Sequence, residues 1–374
     1  MKFIVSSHQL LNHLQAVSKV INPKNNLPIL DNFLFKVSDN TLEITGSDLE
    51  NTLISRLELS YIDGEGIIAV PSRILLDTLK EFPEQPLNFS IDLETYVIKF
   101  STESGEYTIM GLAGDDFPRI PELKKESYNL EIPVDTLETG ISNTIYAVAD
   151  DDYRPVMNGI FFDLKPEYVT FVASDANRVI RYRRRDLHAE EECSFILPKK
   201  PANLLKNLLS KEEGNIKIEF DQNNAIFKLS NVTLICRLIE GNYPAYDSVF
   251  PENFPYNFIV DRLRFLTTMK RVAIYSNQAS NIINIKLKDN EMTISAQDID
   301  YSISAFERLI CQYSGVDMEL VYKSNILSEV LSNLRSQNII FNLIKPELPG
   351  IIQPLESEIE GEEHSILVMP LKTN

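Results

Sequence analysis

Three ordered markers recur along the chain at a spacing of about 125 residues, and this internal repeat restricts the fold more than any other feature of the sequence. The first marker is a short strand running into an amphipathic helix. Phe3-Ile4-Val5 precedes Leu10, Leu14, Val17 and Ile21; a second copy carries Val134, Leu137, Ile141 and Ile145; in the third, Phe258-Ile259-Val260 precedes Leu263, Leu266, Met269 and Val272. Steps of three and four put one apolar stripe on each helix. The second marker is a small-polar-Asp triplet after a β-like run: Gly46-Ser47-Asp48, Ala173-Ser174-Asp175 and Ala296-Gln297-Asp298, with the aspartates 127 and 123 residues apart. The third is a second helix opening at Pro71-Ser72-Arg73, Pro198-Lys199-Lys200 and Lys323-Ser324-Asn325, with Leu75/Leu79, Leu204/Leu208 and Leu327/Leu331 on its buried side.

Between the helices the apolar period is two. Leu87, Phe89, Ile91 and Leu93 are answered by Tyr96, Ile98 and Phe100, and Ile216, Ile218 and Phe220 by Phe227 and Leu229 around Asn223-Asn224. Strands joined by such short turns are antiparallel, so each repeat is predicted to be an α+β unit with two helices on the covered face of its sheet. Pro121 and Pro251 mark the connections, which predicts three similar domains at 1–124, 125–252 and 253–374. With 374 residues, 44% of them apolar, each domain can bury a core of its own.

Several function classes find no support in the residues. There is no glycine-rich phosphate loop, nucleophile elbow, His-Glu-x-x-His or dinucleotide fingerprint, so neither an enzyme nor a cofactor is expected. The four histidines and the scattered Cys193, Cys236 and Cys311 stand at no metal-ligand spacing, and an unpaired set of cysteines points to a reducing compartment. Asp150-Asp151-Asp152 has the right oxygens for a hard cation, but consecutive side chains cannot converge, and the run reads better as loop charge. The start of the chain lacks the apolar core of a signal peptide, and no run approaches the roughly 18 apolar residues of a membrane span. A cytoplasmic protein with no membrane contact is expected.

The net charge of −18 argues, taken whole, against a partner as negative as DNA. Its distribution does not. Six helix windows (8–20, 72–82, 133–148, 198–210, 261–273 and 323–335) hold 12 Lys or Arg against 6 Asp or Glu, a net of +6, leaving −24 elsewhere. Helix faces turned toward one space would form a basic lining within an acidic shell, contacting phosphates through Lys19, Arg73, Lys80, Lys199, Lys200, Lys206, Arg262, Arg264, Lys270, Arg271, Lys323 and Arg335, with Lys24 just beyond the first helix. Arg181, Arg183 and Arg185 alternate along a predicted strand and share one face. Glu190-Glu191-Glu192 follows closely, so that face reads either as a neutralised surface or as a nucleic-acid contact.

Met1-Lys2-Phe3, Leu27-Pro28-Ile29-Leu30, Thr45-Gly46-Ser47-Asp48-Leu49-Glu50, Asp116-Phe117-Pro118, Asn158-Gly159, Ser174-Asp175 with Arg178, Pro198-Lys199-Lys200, Glu240-Gly241 with Tyr243-Pro244, and Val368-Met369-Pro370-Leu371 stand together in order along nearly the whole chain. In these stretches the chain resembles the bacterial β sliding clamps, the processivity subunits of DNA polymerase III. The resemblance implies three DNA-clamp domains, a head-to-tail homodimer closed into a ring, and helices lining a hole that admits duplex DNA. It implies no catalysis. Duplex DNA, the polymerase catalytic subunit, the clamp loader, and other polymerases and repair proteins carrying short linear motifs are the implied partners. DNA contact falls by position on Lys24, Arg73, Tyr153, Arg154, Lys199 and Lys200. A peptide pocket between the second and third domains falls on Met157, Ser174, Asn177, Arg178, Val179, Pro244, Val249, Leu367, Val368, Met369, Pro370 and Leu371. The dimer contact falls on Ile109 and Leu112 against Ile274 and Tyr275. Ala176-Asn177 stands where the family usually has Gly-His, and Ser248 where many members have Arg, so the pocket rim departs from the pattern.

Overall fold

The computed structural model describes residues 1–22, 27–124, 126–357 and 359–371. Lys24 lies outside the described residues. Among the described residues six α-helices follow strands without an intervening loop. They are α1 (Ser7–Ser18), α2 (Ser72–Lys80), α3 (Val134–Thr144), α4 (Lys199–Leu209), α5 (Arg262–Ala273) and α6 (Ser324–Asn333). Side chains at the junctions set some of the starts: Ser6 accepts the amide of Gln9 and Asp261 that of Arg264, each satisfying an orphan first-turn donor. Leu10, Leu14 and Val17 of α1, Leu75 and Leu79 of α2, and Leu327 and Leu331 of α6 are buried as the periodicity predicts, and α1 packs on α2 and α5 on α6. The stripe of α5 is a correction. Phe265, absent from the expected set, recentres the buried arc on Phe265, Met269 and Val272, which leaves Leu263 on the solvent side.

The recurring aspartate closes a hairpin turn. The Asp48 carboxylate accepts the amides of Glu50 and Asn51, Asp175 those of Asn177 and Arg178, and Asp298 those of Asp300 and Tyr301. A short acceptor two or three residues ahead of the amides it caps holds a tight turn, which explains why the residue type recurs.

The chain forms two compact units. One comprises residues 1–136 and 203–238, the other 137–202 and 239–374. The first unit holds a five-stranded sheet in the order Tyr61–Asp63, Lys2–Ser6, Pro86–Ile91, Val97–Ser101, Glu106–Met110. Its nine-stranded sheet runs Leu112–Ala113, Gly66–Pro71, Asn32–Ser38, Thr41–Ser47, Asn51–Glu58, Val232–Arg237, Asn224–Lys228, Asn215–Phe220, Tyr128–Pro133. In the second unit a nine-stranded sheet runs Cys193–Pro198, Gly159–Lys165, Tyr168–Ser174, Arg178–Arg184, Glu362–Val368, Gly350–Pro354, Asn338–Leu343, Tyr256–Asp261, Gln312–Tyr313. A four-stranded sheet runs Ile303–Ile310, Glu291–Asp298, Ile282–Lys288, Met318–Lys323.

Each nine-stranded sheet therefore joins strands of two successive repeats along an antiparallel seam. In the first unit the seam sets Asn51 opposite Cys236 and Thr52 opposite Ile235; in the second it sets Arg178 opposite Val368 and Val179 opposite Leu367. Period-two patterning identifies strands but not their partners, so the seams were invisible in the sequence. Among the described residues no helix is long and apolar enough to cross a membrane.

Candidate functional site

The second seam ends in a cavity of about 360 Å³ lined by Met157, Ser174, Ala176, Arg178, Val179, Tyr243, Pro244, Ala245, Tyr246, Val249, Pro349, Leu367 and Met369. Alternation decides which expected residues reach it. Val179 and Leu367 are paired across the seam and point to one face, with Met369 two residues further along the same side. Val368 points to the opposite face and is buried there, while Asn177, Pro370 and Leu371 do not line the cavity. Asn177 acts through its backbone: its carbonyl accepts the Met369 amide at 2.9 Å, and the Leu371 amide donates to Val321 O at 2.8 Å. The sequence reading missed Ala176, Tyr243, Ala245, Tyr246 and Pro349. Tyr243 could have been found from its place beside Pro244 in the Tyr-Pro pair; its ring lies flat on Phe161 at 4.7 Å.

Arg178 forms the back wall and is committed there. Its Nε donates to Asp175 Oδ2 at 3.1 Å, while Nη2 donates to Glu329 Oε2 at 2.8 Å and to Tyr146 O at 2.7 Å, with the guanidinium over the Tyr146 ring. A buried cation needs such partners to be tolerated. Burial also raises the Tyr146 and Tyr243 hydroxyls well above the usual phenol range, so both are neutral at all ordinary pH. Ser174 donates to Arg178 O and accepts from the Ala176 amide, fixing the turn. The cavity can take apolar side chains but supplies no nucleophile, general base or metal-ligand set. Among the described residues no group of three His, Cys, Asp or Glu converges on a common point.

Of the residues expected to contact DNA, Tyr153 stands free of packing, 96% exposed, and the Arg73 side chain is equally open, touching Asp77 only at 3.9 Å. Arg154 is held back: Asp151 Oδ2 accepts its Nε at 2.9 Å and its Nη2 at 2.6 Å. That arginine and the Tyr153 amide keep the Asp151 carboxyl below the usual carboxylate range. Lys199 and Lys200 occupy the first turn of α4 and are exposed. No acidic residue stands in the first turn of α2 or α4, and in α5 the nearest is the N-cap Asp261. A helix N-terminus disfavours cations, typically by about 0.3–1 kcal/mol each. Arg262 partly escapes by donating to Leu331 O and Ser336 O at the end of α6, which removes it from the list of phosphate contacts. Arg271 is engaged by Glu307.

Of the expected dimer residues, Ile109 lies in an open edge strand, Leu112 in the short end strand of the nine-stranded sheet, and Ile274 and Tyr275 just after α5. Glu106–Met110 and Ile303–Ile310 each have a strand on one side only. Leu112, Ile274 and Tyr275 are exposed, Ile274 by 72%, and Ile109 is half-buried. Ile303 and Phe306 of the second edge and Tyr107 of the first are also exposed and were not among the expected residues.

Comparison with known proteins identifies the pattern. Models of the N-terminal, central and C-terminal domains of the DNA polymerase III beta subunit match residues 1–121, 131–245 and 247–371. The chain is 28% identical to a beta sliding clamp of Proteus mirabilis and 27% identical to one of Pseudomonas aeruginosa, with the whole of each chain covered. It superposes on a Pseudomonas aeruginosa DNA polymerase sliding clamp crystallised with ligand at a TM-score of 0.94 and 25% identity, and on the Thermotoga maritima DNA polymerase III beta subunit at 0.89 and 25%, both over the full length of both chains.

Proposed function

The chain belongs to the DNA polymerase III beta subunit family, and from that membership we propose its working form: two copies joined head to tail in a ring, with partners docking at the Met369 pocket. As a sliding clamp it is a non-catalytic processivity factor that encircles duplex DNA and tethers the replicative polymerase. The tether acts by topology. A ring around a duplex cannot leave sideways, so a polymerase attached to it stays at high effective concentration near the primer end. A cytoplasmic location follows from that role.

The observation that carries the ring is the repetition of the seam. Twice within the chain, the strand after an Asp-anchored turn pairs with the last strand of the next repeat's hairpins. The remaining strands of these two kinds are Ile303–Ile310 and Glu106–Met110, both open. Transferring the observed registers pairs Ile303 of one copy with Ile109 of the other, and Ala305 with Tyr107. Two edges on one chain that complement each other make a heterologous contact, which two copies close by satisfying it twice. Exposed Ile303 and half-buried Ile109 would then cover each other.

The DNA role is supported by the cations in the first turns of α2 and α4. A helix N-terminus disfavours cations, whereas a phosphate backbone attracts them. Contacts of this kind, many and individually weak, hold without stopping sliding. The pocket would accept the apolar anchor of a short linear motif on polymerase, clamp loader or repair protein.

Light scattering followed by a DNA-retention assay tests the proposal. The solution mass should be twice the 42.7 kDa of the chain, and clamps loaded onto circles should stay while those on linear DNA run off the ends. Lys200→Glu and Arg73→Glu should cut retention on circles with the mass unchanged. A single-chain mass, or equal retention on both DNA forms, would overturn the ring.

A further inference from the structure

Of the alternating arginines, Arg181 and Arg183 are largely withdrawn from solvent, unlike a nucleic-acid surface, while Arg185 is half-exposed and pairs with Glu363. Val179, Arg181 and Arg183 share one face of the strand Arg178–Arg184, so the face that lines the pocket at Val179 continues into the arginines. The Arg183 side chain is only 8% exposed. Its Nε donates to Thr170 Oγ1 at 3.0 Å and its guanidinium stacks on Tyr168 at 4.0 Å. Arg183 Nη2 reaches both Asp247 oxygens, at 3.2 and 3.1 Å, and Arg181 Nη1 reaches Asp247 Oδ1 at 2.8 Å while lying over Phe250. One carboxylate thus receives two guanidinium groups.

Asp247 belongs to the one-turn 3-10 helix Tyr246–Val249, which supplies Tyr246 and Val249 to the pocket wall. A single turn of this kind has too few internal hydrogen bonds to hold its own shape. Its fastenings are side chains: the Tyr246 hydroxyl donates to Asp163 Oδ2 at 2.5 Å, and Asp247 is held as described.

We propose that Arg181 and Arg183 are positioning residues for the partner site, acting through Asp247 to hold the Tyr246–Val249 turn, and with it the Val249 wall, in the shape that receives a partner's apolar side chain. The inference rests on the reading of the cavity as a peptide pocket. It explains a charge pattern that neither DNA contact nor the hydrophobic core accounts for: Ile180 and Tyr182 point to the buried face, and the arginines to the face that carries the turn. A wall held in place before binding spares the partner the entropy of ordering it.

The test uses the full-length chain and a fluorescein-labelled eight-residue peptide carrying a Leu-Phe pair, two apolar groups that a cavity of about 360 Å³ can hold. Anisotropy should show Asp247→Asn and Arg183→Met binding at least tenfold more weakly than wild type. Asp247→Glu, which restores the charge, should come back to within about threefold. The double variant should be no worse than Asp247→Asn alone, because that change already weakens both guanidinium contacts, including the one that Arg183→Met removes. Melting temperatures should stay near that of wild type; if Arg183→Met does not fold, the nearly isosteric Asp247→Asn carries the result. Wild type that binds, with variants binding equally well, overturns the positioning role alone. Failure of Asp247→Glu to recover affinity overturns it too. Wild type that does not bind overturns the pocket reading and this inference with it.

Discussion

The seam of the first unit and the seam of the second share one backbone recipe and reach different ends. Both begin at an aspartate-capped turn, and both are followed by an aromatic-proline pair, Phe117-Pro118 and Tyr243-Pro244. In the first unit the side chains at matching places are short or inward. Asn51 bonds only as far as Asp48 of its own turn, and Phe117 is sealed against Leu30 and Leu34. In the second unit they are long. Arg178, matching Asn51, spans from Asp175 to Glu329 on α6, and Tyr243 lies flat on Phe161, from where the chain continues as the pocket wall. The repeated backbone makes a joint, and only the reach of a few side chains turns one joint into a site.

Removing the two matching residues should separate the seams most strongly. Arg178→Ala removes a buried side chain and its hydrogen bonds to Asp175, Glu329 and Tyr146, and because water still reaches the half-exposed Glu329 it should cost about 3 kcal/mol. Asn51→Ala loses a local amide contact and should cost about 1 kcal/mol. Urea unfolding monitored separately for the two units measures both. Equal costs would mean that the seams are equivalent and the longer reach of Arg178 carries no load.

Next in size is a pH effect centred on the second seam. His364 stands opposite Tyr182, edge-on to its ring, and no hydrogen-bond partner reaches its Nε2. The matching place in the first seam is Val232 opposite Ser55. Burial pushes the His364 imidazole down to about 4. The unfolded chain, titrating near 6.5, binds the proton first, so the neutral histidine is fully tolerated above about pH 6.5 and stability falls as pH drops toward 4. Below that the effect is constant, at about 3 kcal/mol in total. Because His13, beside Ser55, is also lowered by burial, the measurement is the difference between wild type and His364→Phe across this window. Parallel curves would remove His364 as the source.

Much of this architecture could be read directly. Leu10, Leu14 and Val17 announced α1, because the physics of a helix face acts over a few residues, and the spacing of Asp48, Asp175 and Asp298 announced the threefold repeat, though not the turn that each aspartate caps. What is fixed by distant partners could not be read. Phe265 displaced Leu263 from the buried arc, Glu362–Val368 found Arg178–Arg184 across nearly two hundred residues, and the Arg181/Arg183 face met an aspartate on a turn that periodicity does not predict. For the pocket, the resemblance supplied the neighbourhood, and strand alternation then separated Leu367 and Met369 from Val368.

A smaller effect probes the pocket lip. Met369 in the second seam matches Arg237 in the first, one step beyond the pairs Val368–Arg178 and Cys236–Asn51. Met369→Ala removes apolar surface from the lining and should weaken the Leu-Phe peptide roughly tenfold, about 1–2 kcal/mol, by titration calorimetry. Arg237→Ala should leave that affinity untouched. Unchanged binding by the Met369 variant would place the peptide elsewhere.

The smallest effect concerns backbone strain at the two turns. Leu49 and Ala176 hold matching places and both take left-handed conformations, with φ of 77° and 68°. A Cβ in that region costs about 1–2 kcal/mol, of which glycine would recover part while giving back about 0.5–1 kcal/mol of chain entropy in the unfolded state. Leu49→Gly and Ala176→Gly should therefore each stabilise the chain by up to about 1 kcal/mol in urea. The two then part company, because only Ala176 lines the cavity. Its methyl narrows the entrance, so Ala176→Gly should also change peptide affinity, with a bulkier anchor gaining most, while Leu49→Gly should not. If both variants shift binding alike, the two turns communicate with the pocket equally and side-chain reach does not separate the seams; if neither is stabilised, the turns carry no strain.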